Sequence, residues 1–518
     1  MELRISAFDF HSLQEGLFRN APDECAAFLA TETAGDRIVA RSMQVFDGEA
    51  FERPPQGELS LTEAAQLSAL ASLKRQGHGA VEVHTHPGSG ANVTFSRFDL
   101  QQLPAFARYV RNKLPGRPYG ALVLGERGYQ GIAVTDSQEA LVLRIAGERS
   151  AIPDWLDPAP MSGFRQSSTD ERRFDRQIRA LGPQGQRRLR GLRVGVIGLG
   201  GTGSQVAQQL AHLGCSEVVV GDGDRIESTN LHRLAGSAWW DPHFRRKKTS
   251  NVRRLFTRVN PHSRVIATGS LRTSKTLGYL KQMDLIIGCV DNDGARLILS
   301  ELAAAYLIPY LDVAVGIERG DETWIGGRVA FYLPGGPCLA CADDLDFDEA
   351  AEDLESESLR RIRLKRGYAR DRRVEAALMP LNTVLAGLAL IETLAFATSI
   401  RPVRPFARYD ALTNQIVTQH VAVNEECPVC KPAYGMADRQ SVDRYALADR
   451  PVPRSHQRSV TNKTRAESDS RMPLGIPSPL AGEIKVSPSA AHGRTVPRQV
   501  DASKVPHRGS THLRTQRA

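Results

Sequence analysis

The chain has 518 residues, of which 41% are hydrophobic and 24% charged, a composition that excludes a fibrous or wholly disordered protein. This length predicts two or three folded units. The net charge is +9, but residues 436–518 alone carry 15 Lys/Arg and 7 Asp/Glu, a net charge of +8. Because that segment is also rich in Pro, Ser and Arg, it is predicted to be a basic disordered tail, and the nearly neutral remainder does not favour nucleic-acid binding.

The sequence pattern argues against export and against membrane insertion. No N-terminal stretch joins a basic flank to an apolar core and a cleavage site. The most apolar window, Leu381 to Thr398, is shorter than a bilayer span and contains Glu392, which predicts a buried helix. Four of the seven cysteines form two Cys-x-x-Cys pairs, a spacing that favours metal over disulfides in a reducing compartment. We therefore expect a cytoplasmic protein without a membrane partner.

Residues 1–145 contain a candidate metal centre. The run Val81-Glu-Val-His84-Thr-His86-Pro87 predicts a strand that delivers both imidazoles to one face, because residues i and i+2 point the same way. Asp99 follows in Ser96-x-x-Asp99, and Glu24 precedes. Two imidazoles and one carboxylate, with a fourth position left open, are a ligand set of catalytic Zn²⁺, and a separate glutamate can move the proton.

This set resembles the JAMM/MPN (Mov34/PAD-1) metallopeptidases, which cleave bonds at the C-termini of ubiquitin-like proteins. The resemblance implies that His84, His86 and Asp99 are the zinc ligands, that Glu24 is the general acid/base, and that Ser96 supports the oxyanion. Twelve residues separate His86 from Asp99, more than the family pattern has, and alanines follow Glu24-Cys25 where a glycine is common. A degenerate domain that only binds its target is the alternative.

A Pro- and Ser-rich linker is predicted at residues 146–170, followed by a second domain at 171–435. There, β-branched apolar runs alternate with helical patterns, which predicts a mostly parallel sheet covered by helices, a Rossmann-like α/β fold. The run Arg193–Ile197 leads into Gly198-x-Gly200-Gly201-x-Gly203 and then a helix. Such a loop lets backbone N–H groups approach a phosphate at the helix N-terminus. A nicotinamide-dependent dehydrogenase would carry the same loop.

The residues that follow the loop favour ATP over a nicotinamide cofactor. Asp222 ends the next strand, where a carboxylate can accept ribose hydroxyls. Attack of a carboxylate on the α-phosphate of ATP brings two anions together, so the site needs cations for the phosphates and a carboxylate for Mg²⁺. Hydride transfer needs no such cluster. The candidates for this cluster are Asp224, Asn230, Arg233, Lys248, Asp291 and Asn292.

Residues 171–435 resemble the ThiF/MoeB family, the bacterial relatives of ubiquitin-activating enzymes. The matching motifs are Arg173-Phe-Asp-Arg176-Gln177, Gly198–Gly203, Asp222-x-Asp224-x5-Asn230-Leu-x-Arg233, Lys248 twelve residues before Asn260, and Val290-Asp291-Asn292. The resemblance implies a homodimer in which Arg176 reaches the ATP phosphates of the opposite subunit. It also implies that Asp222 binds the ribose, that Asn230, Arg233 and Lys248 contact phosphates, and that Asp291 holds Mg²⁺.

The two cysteine pairs, Cys338-x-x-Cys341 and Cys427-x-x-Cys430, have the spacing of a structural Zn²⁺ site, and the ThiF/MoeB family carries pairs at these places. A redox pair is the alternative. Family members that form a thioester use a cysteine in the crossover loop, but the segment from Ala342 to Glu426 contains none. We therefore expect the chemistry to stop at an acyl-adenylate, with the acceptor thiol on another protein.

Both halves thus imply one partner, a small ubiquitin-like or sulfur-carrier protein with a C-terminal glycine. The N-terminal half would process its tail and the second half would adenylylate its carboxylate, with ATP, Mg²⁺ and Zn²⁺ as cofactors. A conjugating enzyme or a sulfur donor would act next. Two other functions stay open at this point, a nicotinamide-dependent dehydrogenase and a non-catalytic scaffold that binds carrier proteins.

Overall fold

The computed structural model describes residues 1–447 except 53–59, 135–137, 157–171, 319–322 and most of 357–375, where only 359, 361, 362 and 365 are included. Most of the predicted linker and the tail from residue 448 lie outside the described residues. The described residues all belong to one compact unit that contains two eight-stranded sheets.

The first sheet is mixed and has the strand order β10-β1-β3-β2-β6-β7-β8-β9, while β4 and β5 pair separately. Its helices are α1 (Ala7–Leu17), α2 (Glu63–Gln76) and α3 (Arg97–Lys113). Its strands are β1 (Glu2–Ser6), β2 (Ala26–Ala34), β3 (Arg37–Val45), β4 (Phe51–Glu52), β5 (Ser60–Leu61), β6 (Gly79–Thr85), β7 (Tyr119–Leu124), β8 (Tyr129–Val134), β9 (Gln138–Ala140) and β10 (Val142–Ala146).

The helices cover both faces of this sheet, and the alternation of β6 decides which side chains reach which face. Val81 and Val83 pack into the core that includes Phe10 and Leu13 of α1. Because successive strand residues point to opposite faces, Glu82 and His84 face the side covered by α2 and α3. The strand therefore places its polar residues beneath these two helices.

The second sheet has the order β13-β12-β11-β14-β15-β16-β17-β18, parallel from β13 to β15 and antiparallel beyond. Its strands are β11 (Arg193–Ile197), β12 (Glu217–Gly221), β13 (Arg264–Thr268), β14 (Leu285–Gly288), β15 (Tyr310–Glu318), β16 (Trp324–Tyr332), β17 (Phe406–Asp410) and β18 (Gln415–Thr418). Its helices are α4 (Asp175–Gly191), α5 (Gly201–Leu213), α6 (Lys248–Val259), α7 (Ser274–Leu280), α8 (Asp293–Ala305), α9 (Phe347–Leu354), α10 (Met379–Thr398) and α11 (Cys430–Ala433). The predicted α/β class, a Rossmann-like domain with a mostly parallel sheet preceded by an α+β domain of the JAMM/MPN type, is confirmed.

Helix α10 is the apolar segment that the sequence predicted to be buried. Among the described residues it is the one helix long and apolar enough to cross a membrane, but 61% of that window is buried inside the protein. It packs against α5 and against strands β15 and β16. Glu392 on this helix accepts hydrogen bonds from the Arg401 guanidinium and from the backbone N–H of Arg404.

The two sheets meet through buried ionic contacts. Asp284, just before β14, accepts hydrogen bonds from Arg193 of the same half and from Arg144 of the N-terminal half. Arg4 is 4% exposed and donates to the backbone carbonyls of Met283 and Tyr306 across the same boundary. These contacts tie both halves into one unit.

The segment after α11 completes this boundary. It forms two 3-10 turns, Ala437–Gln440 and Val442–Tyr445, although the sequence assigned it to the disordered tail. Ala437 and Val442 are fully buried in the core of the second half because they pack beside α8. From the other side of these turns, Arg439 donates to the buried Glu32 of β2.

Candidate functional site

The three predicted zinc ligands of the N-terminal half come together. Asp99 Oδ2 lies 3.5 Å from His84 Nε2 and 3.4 Å from His86 Nε2. Zinc bound tetrahedrally by nitrogen and oxygen at its usual bond lengths separates such ligand atoms by about 3.3 Å. His84 Nε2 is buried and makes no hydrogen bond of normal geometry among the described residues, so this nitrogen is available to a metal. The donor set and spacing therefore fit Zn²⁺.

The tautomer of His86 is fixed by its second nitrogen. Nδ1 lies 3.1 Å from the carbonyl oxygen of Thr94. A carbonyl only accepts, so Nδ1 carries a proton, and Nε2 is the nitrogen that faces Asp99 and can bind a metal. Burial acts to raise the pKa of Asp99, but the nearby His84 and the hydrogen bonds with Ser96 hold it well below its usual range. Asp99 is thus an anion, as a metal ligand must be.

Ser96 and Asp99 also begin helix α3 as a capping box. The Ser96 hydroxyl accepts from the Asp99 backbone N–H at 3.1 Å, and Asp99 Oδ2 accepts from the Ser96 N–H at 2.6 Å. This reciprocal pair satisfies two N–H groups at the helix start and fixes the Asp99 carboxylate. The geometry therefore gives Ser96 a role in positioning the Asp99 carboxylate. Its role in supporting the oxyanion stays a prediction.

The longer His86 to Asp99 spacing is absorbed in the loop after His86. There the backbone N–H groups of Gly88 and Gly90 donate to the two carboxylate oxygens of Glu126. On the other side of the centre, β2 pairs with β6 and places Glu24 Oε1 3.8 Å from His86 Nε2. The loop extension and the alanines after Cys25 thus leave all four predicted residues in one place.

A cavity of about 860 Å³ opens beside this centre. Its wall includes Glu82, which the sequence analysis did not select because a single glutamate in a strand carries no signal. Glu82 accepts a hydrogen bond from the Tyr119 hydroxyl at 2.9 Å. Burial raises the pKa of Glu82, although the nearby His84 and the Tyr119 hydrogen bond act to lower it.

The predicted nucleotide loop lies at the point where the strand order of the second sheet reverses. The chain runs from β11 outward to β12 and β13, then returns to β14 on the other side of β11. The carboxyl ends of β11 and β14 therefore border a crevice of the kind that binds nucleotides in such sheets. Gly198 follows β11, and Asp291 follows β14.

Three of the four loop glycines lie where a larger residue would collide with a neighbouring atom. A Cβ at Gly203 would lie 1.8 Å from the Gly198 carbonyl oxygen, and one at Gly198, whose φ is +82°, would lie 2.4 Å from the Cys289 carbonyl oxygen. A Cβ at Gly201 would lie 2.1 Å from the Asn382 amide nitrogen. At Gly200, by contrast, a Cβ would meet nothing within 4 Å. Protein atoms therefore pack closely against Gly198, Gly201 and Gly203, whereas Gly200, which precedes α5, leaves room for a ligand.

Asp222, the predicted ribose-binding residue, is hydrogen-bonded to this loop. Asp222 Oδ2 accepts the Leu199 N–H at 2.8 Å, and Oδ1 accepts the Asp224 N–H at 2.7 Å. Lys248, the first residue of α6, lies 2.8 Å from the Asp224 carboxylate and 3.8 Å from that of Asp222. Burial raises the pKa of Asp222 even though Lys248 lowers it. Both aspartates and the lysine thus form one cluster beside the loop.

The remaining predicted residues border the same crevice from two sides. The side chain of Arg233 reaches the start of α5, where a Cβ built on Gly201 would lie 3.2 Å from the Arg233 Cδ. Asn230 caps the short turn that precedes Arg233, where the side-chain oxygen of Asn230 accepts the Glu227 N–H at 3.1 Å. Across the loop, the side-chain oxygen of Asn292 accepts the Ala295 N–H at 2.8 Å and so caps α8. The Asn292 amide nitrogen donates to the exposed Asp291.

Within the described part of the chain, Arg176 has no hydrogen bond or ion pair with any other predicted nucleotide residue. It lies exposed on the first turn of α4. The structure contains a single chain, and the family resemblance assigns this arginine to the opposite subunit's site. Its role therefore stays a prediction.

A buried ionic network supports the strand end that carries Asp291, and the sequence analysis missed its centre, Asp312. Arg296 of α8 lies 3.6 Å from Asp312 and donates to the Val290 carbonyl oxygen at 3.1 Å. Asp312 is fully buried and also accepts from Arg328 and from the Tyr310 hydroxyl. The partners of Asp312 come from separate strands and a helix, so the sequence could not indicate the network.

The four paired cysteines form a third cluster, with Sγ atoms that all lie within 4.8 Å of one another. Adjacent sulfurs are 3.6 to 3.8 Å apart. This matches the edge of about 3.8 Å in a tetrahedral zinc–thiolate site and far exceeds a disulfide bond. A hydrogen bond from Cys430 lowers the pKa of Cys338 to about 5. The convergence of all four sulfurs on one place therefore fits a structural metal.

Comparison with known proteins identifies both halves. A model described as the ThiF family matches residues 174–430, and one described as prokaryotic homologs of the JAB domain matches residues 10–138. The chain therefore contains a ThiF family domain of the adenylyltransferase class, preceded by a JAB-type domain. Both family resemblances predicted from the sequence are confirmed.

Three similar proteins show how much of the chain is shared. The molybdopterin-synthase adenylyltransferase of Escherichia coli is 29% identical over 264 residues, which is 50% of this chain and 95% of that protein. The adenylyltransferase and sulfurtransferase uba4 of Aspergillus niger is 31% identical over 175 residues, 33% of this chain and 36% of that protein. The ubiquitin-like modifier-activating enzyme 5 of Oryza sativa subsp. japonica is 24% identical, covering 58% of this chain and 75% of its own.

Among solved structures, E. coli MccB crystallised with ATP is 21% identical, with a TM-score of 0.40, and the match covers 50% of this chain and 74% of that one. The chain thus spans nearly the whole bacterial relative but only about a third of the fungal one.

Proposed function

We propose that this chain uses ATP to adenylylate the C-terminal carboxylate of a small ubiquitin-like or sulfur-carrier protein. The observation that carries the proposal is the glycine loop at the strand-order reversal, with Arg233 on one side, Asp291 on the other and Lys248 beside the ribose-side aspartates. The names of the bacterial, fungal and plant relatives support the same reaction class.

In the proposed reaction a carboxylate oxygen of the carrier attacks the α-phosphorus of ATP, and the bond from that phosphorus to pyrophosphate breaks. The N–H groups at Gly200 and at the start of α5 bind phosphate oxygens, because a helix N-terminus favours anions. Arg233 and Lys248 neutralise the phosphates, which reduces the repulsion of the incoming carboxylate. Asp222 accepts the ribose hydroxyls. Mg²⁺, held by Asp291, would supply further charge neutralisation.

For the N-terminal domain we propose peptidase activity on the tail of the same carrier. His84, His86 and Asp99 would hold Zn²⁺, which would lower the pKa of a bound water. Glu24, 3.8 Å from His86, is placed to take a proton from that water and pass it to the departing amine. We further propose a cytoplasmic homodimer in which Arg176 serves the partner subunit's ATP site, and a structural Zn²⁺ on the four paired cysteines.

The test is carrier-dependent exchange of labelled pyrophosphate into ATP, with small carrier proteins that end in glycine. Wild type should catalyse exchange, and Asp291→Ala should abolish it. Asp36→Ala, which removes an aspartate that is 95% exposed on the N-terminal half, is the matched control and should exchange normally. Binding of carriers without any exchange would instead support a scaffold, and nicotinamide turnover would support a dehydrogenase.

The two sites should be separable. His86→Ala should stop cleavage of an extended carrier tail and leave exchange intact, because the residue belongs to the first sheet. Simultaneous loss of both activities in a folded His86→Ala variant would contradict the two-site proposal.

A further inference from the structure

The cavity beside the JAB-type metal centre is larger than the proposed carrier tail requires. Its volume is about 860 Å³. The carrier residue whose carbonyl would face the metal is a C-terminal glycine, which has no side chain to fill a pocket. If the proposed peptidase function holds, the cavity must receive the residue on the other side of the scissile bond, which belongs to the leaving group.

One part of the cavity wall is apolar and aromatic, and the rest is polar. The apolar part includes the nearly buried side chains of Phe95 and Leu103, and also Phe106, whose ring centroid lies 6.2 Å from that of Tyr119. Such walls suit the methylene stem of a long side chain, and aromatic rings also attract a cation that passes over them.

The cavity also contains one carboxylate that the metal centre does not use. Glu82 lies two residues before His84 on the same face of β6, and Tyr119 is its one hydrogen-bond donor among the described residues. The Tyr119 hydroxyl bonds Oε2, and no described hydrogen bond occupies Oε1, so this oxygen can accept from a cationic group that enters the cavity. Arg97, the one basic residue among the described lining residues, is exposed to solvent rather than enclosed with Glu82.

We propose that Glu82 selects a basic residue, lysine or arginine, immediately after the scissile glycine bond. The substrate would then be a carrier precursor whose C-terminal extension begins with a basic residue. Hydrolysis would break the bond between the glycine carbonyl carbon and the nitrogen of that residue. The hydroxyl group of water would go to the glycine carboxyl group and a proton to the leaving amine. This inference rests on the proposed peptidase function for the cleavage step and for the position of the basic residue, whereas binding of a basic side chain beside Glu82 does not depend on it.

The test uses two carrier precursors that are identical except for arginine or leucine after the glycine, cleaved by the zinc-loaded protein. Wild type should cleave the arginine precursor with a kcat/KM at least about tenfold higher. Glu82→Gln, which keeps the shape of the side chain, should lose that preference while still cleaving the leucine precursor, which also shows that it folds. Glu139→Gln, on the exposed strand β9, is the matched control and should behave like wild type.

A second readout does not need turnover. Binding of the leaving peptide alone, with N-terminal arginine or leucine, is measured by calorimetry on wild type and Glu82→Gln. Tighter binding of the arginine peptide to wild type alone supports the proposal even when no precursor is cleaved, in which case the peptidase function fails by itself. Equal binding and equal cleavage of both sequences by wild type would overturn the role of Glu82 and leave the peptidase function standing.

Discussion

Removal of the Asp284 side chain should destabilise the whole folded unit, because this carboxylate compensates buried arginines from both halves. The side chain of Asp284 is 8% exposed, and Arg193 contributes two hydrogen bonds from its guanidinium, at 2.7 and 3.1 Å, and one from its backbone N–H at 3.1 Å. Arg144 donates from the N-terminal sheet. Asp284→Ala would remove this carboxylate from both cations, and among the described residues Arg144 would keep only Glu2, at 3.9 Å.

The expected cost is about 3 to 5 kcal/mol, the range measured when one partner of a buried ion pair is removed. Loss of Asp284 would also destabilise the charged form of Arg4. Burial already lowers the pKa of Arg4 to about 10, and Glu2 and Asp284 are the carboxylates that act to raise it. Urea unfolding at pH 7 measures the loss, with Asp36→Ala as an exposed control. A loss below about 0.5 kcal/mol, typical of surface sites, would refute the reasoning.

The same carboxylate predicts a pH dependence. The surrounding arginines hold the pKa of Asp284 below its ordinary value, although burial acts to raise it. A depressed folded-state pKa stabilises the protein above the unfolded pKa of about 3.9 and loses this contribution as the pH falls through the folded value. The difference in stability between wild type and Asp284→Ala should therefore shrink below about pH 4. A difference that stays constant down to pH 3 would contradict the assignment.

Three further substitutions test other parts of the structure. Gly203→Ala should weaken ATP binding more than about tenfold in calorimetry, because its Cβ would meet the Gly198 carbonyl oxygen at 1.8 Å, whereas Gly278→Ala, with nothing within 4 Å, should bind normally. Cys427→Ser should lower the zinc content measured by mass spectrometry and the thermal midpoint, since structural zinc contributes to folding; unchanged zinc content would contradict the site. Arg439→Ala should cost about 1 to 3 kcal/mol in urea unfolding, because Glu32, 3% exposed, would keep only part of its compensation; no loss would contradict its structural role.

The parts of the fold that follow local rules could be predicted from the sequence. The glycine loop, the strand before it and the aspartate after the next strand follow one another in the chain, and backbone sterics allow few other arrangements. The His-x-His pair was equally readable, because alternation in a strand fixes which face both rings occupy. The structure brought each of these sets together.

Other features depend on residues that only folding brings together. Glu82 meets Tyr119 across two adjacent strands, and Asp284 collects arginines that lie far away in the sequence. The turns after Cys430 carry a polar sequence that resembles a tail, and they fold because Ala437 and Val442 fit against a helix formed more than a hundred residues earlier. Hydrophobic periodicity does not encode such contacts.

The most direct test of the central proposal is to incubate the protein with ATP, Mg²⁺ and glycine-ending carrier proteins and to measure the intact mass of each carrier. We expect one carrier to gain an adenylyl group on its C-terminal carboxylate, dependent on Asp291 and accompanied by pyrophosphate release. Carriers that bind tightly but never gain this mass, while pyrophosphate stays at background, would contradict the proposal.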